Sequence, residues 1–153
     1  MSVEIRTAKA EGQSKVRELL SEYLVELSAY DEVDHGYRYF DSYWIEGDCR
    51  WPYFILGDGE VIGFAFVNTV SPSGRGTDFS IAEFYIQPCA RGNGYGLAAA
   101  TELFRKHEGV WELSVMAANK RAQSFWPKAI TAIGGRKAEC FEHNGETIHR
   151  FCI

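Results

Sequence analysis

Residues 81–100, IAEFYIQPCARGNGYGLAAA, run from a β-rich apolar stretch through a proline stop into glycines at alternate positions, Gly92, Gly94 and Gly96. Alanine-rich, helix-favouring sequence follows at once. Ordered glycine costs backbone entropy, so this spacing at the mouth of a helix needs a cause. The first turn of an α-helix carries backbone N–H groups with no partner in the helix, and the aligned peptide dipoles add partial positive charge there. Glycines remove the side chains that would keep a bulky anion off those donors, which suits pyrophosphate. A tight turn needing positive φ is the plainer account, but three alternate glycines between strand and helix favour the phosphate cradle. The Gly-Lys-Ser/Thr ending of a P-loop is missing. A dinucleotide fingerprint can be forced from Gly94 to Ala99, but it lies too far beyond Gln87 and no repeated βαβ unit follows.

The rest of the chain places this stretch in a mixed fold. Val16, Leu19, Leu20, Tyr23, Leu24, Leu27 and Tyr30 recur at helical period, and SVEIRTA before them is a short strand. After a polar loop, YRYFDSYWIEGD predicts a second, short aromatic helix. WPYFILGDGEVIGFAFVNTV reads as two strands about a GDGE turn, SPSGRGTD as a surface loop, and FSIAEFYIQP as a strand stopped by Pro88. A helix from about Gly94 is expected to end near Gly109 as its C-cap, then VWELSVMA forms a strand. From Asn119 a last helix sets Ala122, Phe125, Trp126, Ala129, Ile130 and Ile133 on one face, with Pro127 expected to kink it. The predicted order is β-α-α-β-β-β-α-β-α-β-β over one domain, residues 1–153. That is an α/β protein of the α+β type, with a mixed, largely antiparallel central sheet flanked by about four helices.

Composition narrows the partners. The 153 residues are 46% hydrophobic and carry a net charge of −5, which argues against nucleic acid held by bulk positive charge. No apolar leader opens the chain and its apolar runs are too short to span a bilayer, so a cytoplasmic protein with no membrane partner is expected. The cysteines Cys49, Cys89, Cys140 and Cys152 show no CxxC spacing and no metal site is expected. In RKAECFEHNGETIHRFCI a hairpin about Asn144-Gly145 opposes Phe141 to Ile148, Glu139 to Arg150 and Lys137 to Cys152. Cys140 then faces His149, so the two hairpin thiols cannot bond, and buried free thiols are expected.

Arg91-x-x-Gly94-x-Gly96 resembles the coenzyme A pyrophosphate loop of the GNAT N-acetyltransferase superfamily. IAEFYIQPCARGNGYG is similar to that family's central strand and loop, NKRAQSFW to its Asn-x-x-Ala segment, and the element order matches from end to end. More narrowly, the run from Ala82 to Gly109 with FWPKAI resembles bacterial acetyltransferases of unassigned substrate. The resemblance implies acetyl transfer from acetyl-CoA to an amine of a small molecule or peptide, with a non-catalytic acyl-CoA-binding module as the alternative; a homodimer stays open. It implies that Arg91, Gly92, Asn93, Gly94, Tyr95 and Gly96 wrap the pyrophosphate with backbone N–H groups. Main-chain groups of Phe84, Tyr85 and Ile86 would bond the pantetheine arm, and Asn119 would contact the cofactor or cap the last helix. Leu97 and Ala100 are expected to pack that loop's helix onto the sheet.

The catalytic positions depart from the family pattern. Trp126 stands where many members carry a tyrosine acid, and an indole N–H is no useful acid near neutrality. Ser124, Tyr85 and Tyr95 are substitutes without distinction, and Ser80 replaces a relative's glutamate base. Glu83 is the one carboxylate within the central strand, where Glu is disfavoured, and is the candidate base; an exposed face or a salt bridge is its plainer role. His149 is the least unsuitable histidine. Asp31, Glu32, Asp34 and Asp41, with Tyr30, Tyr37, Tyr39, Tyr43 and Trp44, suggest an acidic, aromatic acceptor pocket for a cationic amine.

Overall fold

A computed structural model describes Met1–Ile153. Seven strands form one sheet in the order β1-β2-β3-β4-β5-β7-β6. They are β1 (Val3–Thr7), β2 (Arg50–Gly57), β3 (Glu60–Asn68), β4 (Phe79–Ile86), β5 (Val110–Met116), β6 (Arg136–His143) and β7 (Glu146–Cys152). Asp58-Gly59 and Asn144-Gly145 join β2 to β3 and β6 to β7 with positive φ at both residues, as a two-residue hairpin turn demands. Every neighbouring pair is antiparallel except β4 and β5, which run parallel and are therefore linked by a crossover helix.

Helices α1 (Gln13–Leu27), α2 (Tyr95–Arg105) and α3 (Lys120–Ile133) cover the sheet. Val16, Leu19, Leu20 and Leu24 of α1 pack on Phe64, Phe66 and Tyr85 on one face. Ala99, Ala100, Leu103 and Phe104 of α2 join Trp126, Ala129 and Ile130 of α3 on the other, over Trp111, Leu113 and Val115.

One break in the sheet matters most. β4 and β5 pair only at Phe79↔Trp111, Ser80↔Glu112 and Ile81↔Leu113, and then part. At the same level β4 bulges against β3: Phe66 pairs with Glu83 and Val67 with Ile81, leaving Ala82 extra. A bulge bends its strand and shifts the alternation of faces by one residue. Phe84 thus lies with the α2–α3 core, whereas Ala82, Glu83 and Tyr85 turn toward α1.

Several expectations need correction. The aromatic helix is only a 3₁₀ turn, Asp41–Trp44, so three α-helices stand where about four were expected. Asp34 accepts from the N–H groups of Gly36 and Arg38, fixing a local turn, while Phe40, Tyr43 and Trp44 all crowd Phe66. Helix α2 stops at Arg105, short of Gly109. Gly109 has φ 147°, and a Cβ there would sit 2.7 Å from Asp78, whose carboxylate accepts from the Val110 N–H. Leu97 is exposed rather than packed, while Ala100 is buried. Helix α3 runs on through Pro127, which lies on its exposed side. The loop residue Ser73 is buried, bonding the sequestered Glu112. All four cysteines are free, but Cys49, Cys89 and Cys140 are exposed and Cys152 is half-buried. No helix covers β6, so its side chains meet water on both faces. Lys137, at φ 54°, bulges out of register, and Cys152 pairs with Arg136 instead. Cys140 does oppose His149. No helix is long and apolar enough to cross a membrane.

Candidate active site

The parting of β4 from β5 opens a cleft of ≈ 880 Å³. Its mouth is the glycine loop. Gly94 caps α2 in the left-handed region at φ 83°, with only the Met1 side chain 3.9 Å from where a Cβ would sit, and Gly92 lies at φ 84° with open space around it. A side chain would strain that backbone and fill the space. Backbone N–H groups from Gly92 to Leu97 find no acceptor in the protein, the first bond of the helix being Ala98 N–H to Gly94 C=O. A row of free donors at a helix N-terminus is the kind of feature that binds an anion such as pyrophosphate. Gly96 lets the helix approach α3, since a Cβ there would meet the Phe125 ring at 3.3 Å.

The side chains of the loop do other things. Arg91 folds back, its Nε donating to the Ile86 carbonyl at 2.8 Å and its Nη2 to both oxygens of Glu26 at 2.9 and 2.8 Å. Arg121 of α3 approaches the same carboxylate at 3.7 Å, so Glu26 bridges the loop and α3 from the opposite face of the sheet. Tyr95 donates to Asp58 in the β2–β3 turn. Asn93 is exposed. Asn119 accepts from the Ala122 N–H at 3.2 Å, capping α3 while it lines the cleft.

Deeper in, on the α1 face, the bulge presents Glu83. The Tyr37 hydroxyl donates to its Oε2 at 2.6 Å, and Tyr37 is held at φ 47°, an uncommon conformation for a large side chain. Burial pushes the Glu83 carboxyl up to about 7; the Tyr37 and Tyr23 hydroxyls oppose this, and the nearby charge of Glu146 adds to it. Burial and the same carboxylate drive the Tyr23 and Tyr37 hydroxyls upward, so both remain protonated donors. Glu146, at the start of β7, accepts from Ser114 on β5. Asn68 donates to the Tyr43 hydroxyl at 3.2 Å.

Of the residues read from the sequence, Glu83, Phe84, Tyr85, Ile86, Arg91, Gly92, Gly94, Gly96 and Asn119 line this one cleft; Asn93 and Tyr95 do not. The acidic part of the expected acceptor pocket is elsewhere: Asp31, Asp34 and Asp41 bond Glu32 N–H, local turn groups and Gln13. The aromatic part contributes through Tyr37, on Glu83, and Tyr43 beside it. Neither Tyr85 nor Tyr95 offers a free acid: the Tyr85 hydroxyl donates to Glu22 and is pushed up to about 12 by burial. Ser124 is exposed and outside the cleft. Trp126 is 7% exposed and packs edge-on to Phe84, 5.1 Å between rings. His149 is buried with Nε2 unpartnered, away from the cleft. No group of three or more His, Cys, Asp or Glu side chains is placed to hold a metal ion. Sequence reasoning missed Tyr23, Glu26, Ser114, Arg121 and Glu146: they come from four elements, α1, β5, α3 and β7, and even Arg121 occupies a variable position of its Asn-x-x-Ala segment.

A sheet split between parallel strands, with a row of free N–H donors at the mouth of the split, is the architecture of an N-acetyltransferase fold. Residues 14–130 match the model of the acetyltransferase (GNAT) family, and the chain belongs to that family. No curated protein matches it in sequence. Among solved structures it is similar to the PaiA N-acetyltransferase of Thermoplasma acidophilum in complex with coenzyme A. The two are 16% identical with a TM-score of 0.66, over 100% of both chains. A GNAT acetyltransferase from Streptococcus agalactiae gives 15% identity and 0.70, over 99% of this chain and 95% of that one. A spermidine N-acetyltransferase chimera built on the Vibrio cholerae enzyme gives 15% and 0.62, over 100% and 95%. At these identities the likeness is one of fold. The family takes its acyl group from acetyl-CoA.

Proposed function

We propose that the protein is an acetyl-CoA-dependent N-acetyltransferase acting on an amine of a small molecule or peptide, with Glu83 as its base. The observation that carries this is the presence of the free N–H row and an acid of raised pKa on one continuous cleft. Acetyl-CoA supplies an acetyl thioester open to direct attack by a neutral amine, and its thiol is acidic enough to leave without a side-chain acid. The backbone from Arg91 to Gly96, extended through Leu97, holds the pyrophosphate. The unpaired edge of β4 at Phe84, Tyr85 and Ile86 offers main-chain groups to the pantetheine arm, although the Ile86 carbonyl already accepts from Arg91. Asn119 borders the same arm through what its cap leaves free. An ammonium must lose a proton before it can attack. Glu83, half-ionised near pH 7, takes that proton, and Tyr23 and Tyr37 keep the carboxylate oriented.

Trp126 favours a second reading, a non-catalytic acyl-CoA-binding module that kept the fold and lost the acid. Coenzyme A release from acetyl-CoA across a panel of amines separates the two. Amine-dependent release that falls in Glu83→Gln supports the enzyme. Tight acetyl-CoA binding by calorimetry with no release on any amine supports the module.

A further inference from the structure

The acceptor end of the cleft carries more negative charge than the reaction needs. The lining of the whole cleft includes three carboxylates, Glu26, Glu83 and Glu146, and two guanidiniums, Arg91 and Arg121. Both arginines are engaged by Glu26 at the mouth. Glu83 and Glu146 have no cationic partner in the chain; their contacts are hydroxyls, Tyr37 for the first and Ser114 for the second. A second polar group points to an occupant. Ser80 on β4 is only 4% exposed and lines the same cleft, and its side-chain hydroxyl has no hydrogen-bond partner in the protein. That hydroxyl opens to the cleft, where a bound polar group can pair with it.

Charge can be followed through one turnover. The acceptor enters as an ammonium and passes one proton to Glu83, which becomes neutral. The nitrogen then forms its bond to the acetyl carbon as the carbon–sulfur bond breaks. The nitrogen's second proton goes to the departing thiolate, and the Glu83 proton returns to water. The half-buried Glu146 carboxylate takes no part in these transfers and faces a cleft that offers it no cation.

Resting on the acetyltransferase reading, we propose that the acceptor is dicationic, a diamine or an amine bearing a second fixed positive group, and that Glu146 selects it by pairing with the charge that does not react. Ser80 and Asn68 line the same end and give its ammonium further polar partners.

The test compares α,ω-diamines with n-alkylamines and ω-amino acids of matched length, as acetyl acceptors and, separately, as ligands in calorimetry. The parent protein should prefer the diamine to the monoamine by about tenfold in kcat/KM, expressed mainly in KM, a ratio equivalent to one well-placed ion pair. Glu146→Gln should bring that ratio close to one, and Glu146→Asp, which keeps the charge, should retain most of it. A parent that treats diamine and monoamine alike overturns the proposal without needing any variant; so does a ratio that survives Glu146→Gln. If no amine is acetylated, the acetyltransferase reading fails instead, and calorimetry still decides: diamine binding weakened in Glu146→Gln upholds the selective site, and no diamine binding overturns it.

Discussion

At the scale of the residue, Glu83, the proposed base, shows how environment shifts an ordinary carboxylate. Its carboxyl sits near 7 because burial outweighs the two tyrosine donors that favour the charged form. The rate, kcat/KM, should therefore rise with pH through about 7, and Glu83→Gln should lose that limb together with about a hundredfold in kcat. A flat profile in the parent, or an unchanged one in the variant, would remove Glu83 from the chemistry. The same shift is a stability statement. A folded protein that holds this proton more tightly than the unfolded chain has its full stability below about pH 4.5 and loses stability as pH rises through 7. Above that range Glu83→Gln keeps a partner for the Tyr37 hydroxyl and escapes the buried charge. Denaturant melts should show it more stable than the parent by about 1–3 kcal/mol near pH 8 and equal near pH 4. Trp126 makes the complementary case. It packs edge-on to Phe84 in the cleft wall, and its indole N–H is no useful acid. Trp126→Phe should therefore keep most of kcat, whereas a fall of about a thousandfold in a folded variant would mark it as essential to catalysis.

At the scale of the element, the bulge at Ala82 and the turn at Gly94 do the positioning. Legibility in the sequence divides along the same line. Strands, hairpin turns, the two helices on the α2–α3 face and the loop were readable because each is encoded by neighbours: alternation, Asp-Gly and Asn-Gly, alanine after glycine. The bulge was not, since it depends on how β3 and β5 constrain β4. The expected aromatic helix failed for a related reason: Phe40, Tyr43 and Trp44 have the composition of a helix face, but all converge on Phe66. Glu146 shares the cleft with Glu83 only because β7 lies beside β5, a pairing of distant segments. The Gly94 turn allows a direct check. Gly94→Val puts a β-branched residue at φ 83° and a side chain over the free donors. Calorimetry should then show acetyl-CoA affinity reduced at least about a hundredfold, with the circular dichroism spectrum retained. Unchanged affinity would dismiss the loop as the cofactor site. Arg91→Ala should cost less, because that side chain is spent on Glu26 and Ile86.

At the scale of the whole molecule, the outermost strand β6 is uncovered, charged and bulged, features that discourage pairing with another edge. Its Cys140 is exposed with Cys49 and Cys89. A thiol reagent applied to the native protein should modify three cysteines quickly and Cys152 slowly; a single slow phase for all four would contradict this arrangement. The interior edge has the opposite character. Four strands on one side and three on the other are laced by three residue pairs between β4 and β5, after which the fabric lies open along a seam. Whatever fills that seam with hydrogen-bonding groups stitches the two panels together. Acetyl-CoA at a hundredfold excess over Kd should add about 2.7 kcal/mol of stability, and the amides from Ala82 to Ile86 and from Ser114 to Met116 should exchange with solvent more slowly. If protection rose only at the glycine loop, the seam would be a passage and not a suture. If acetyl-CoA sews the sheet shut and its departure unpicks it, the mechanical tightness of the molecule records where it stands in its cycle.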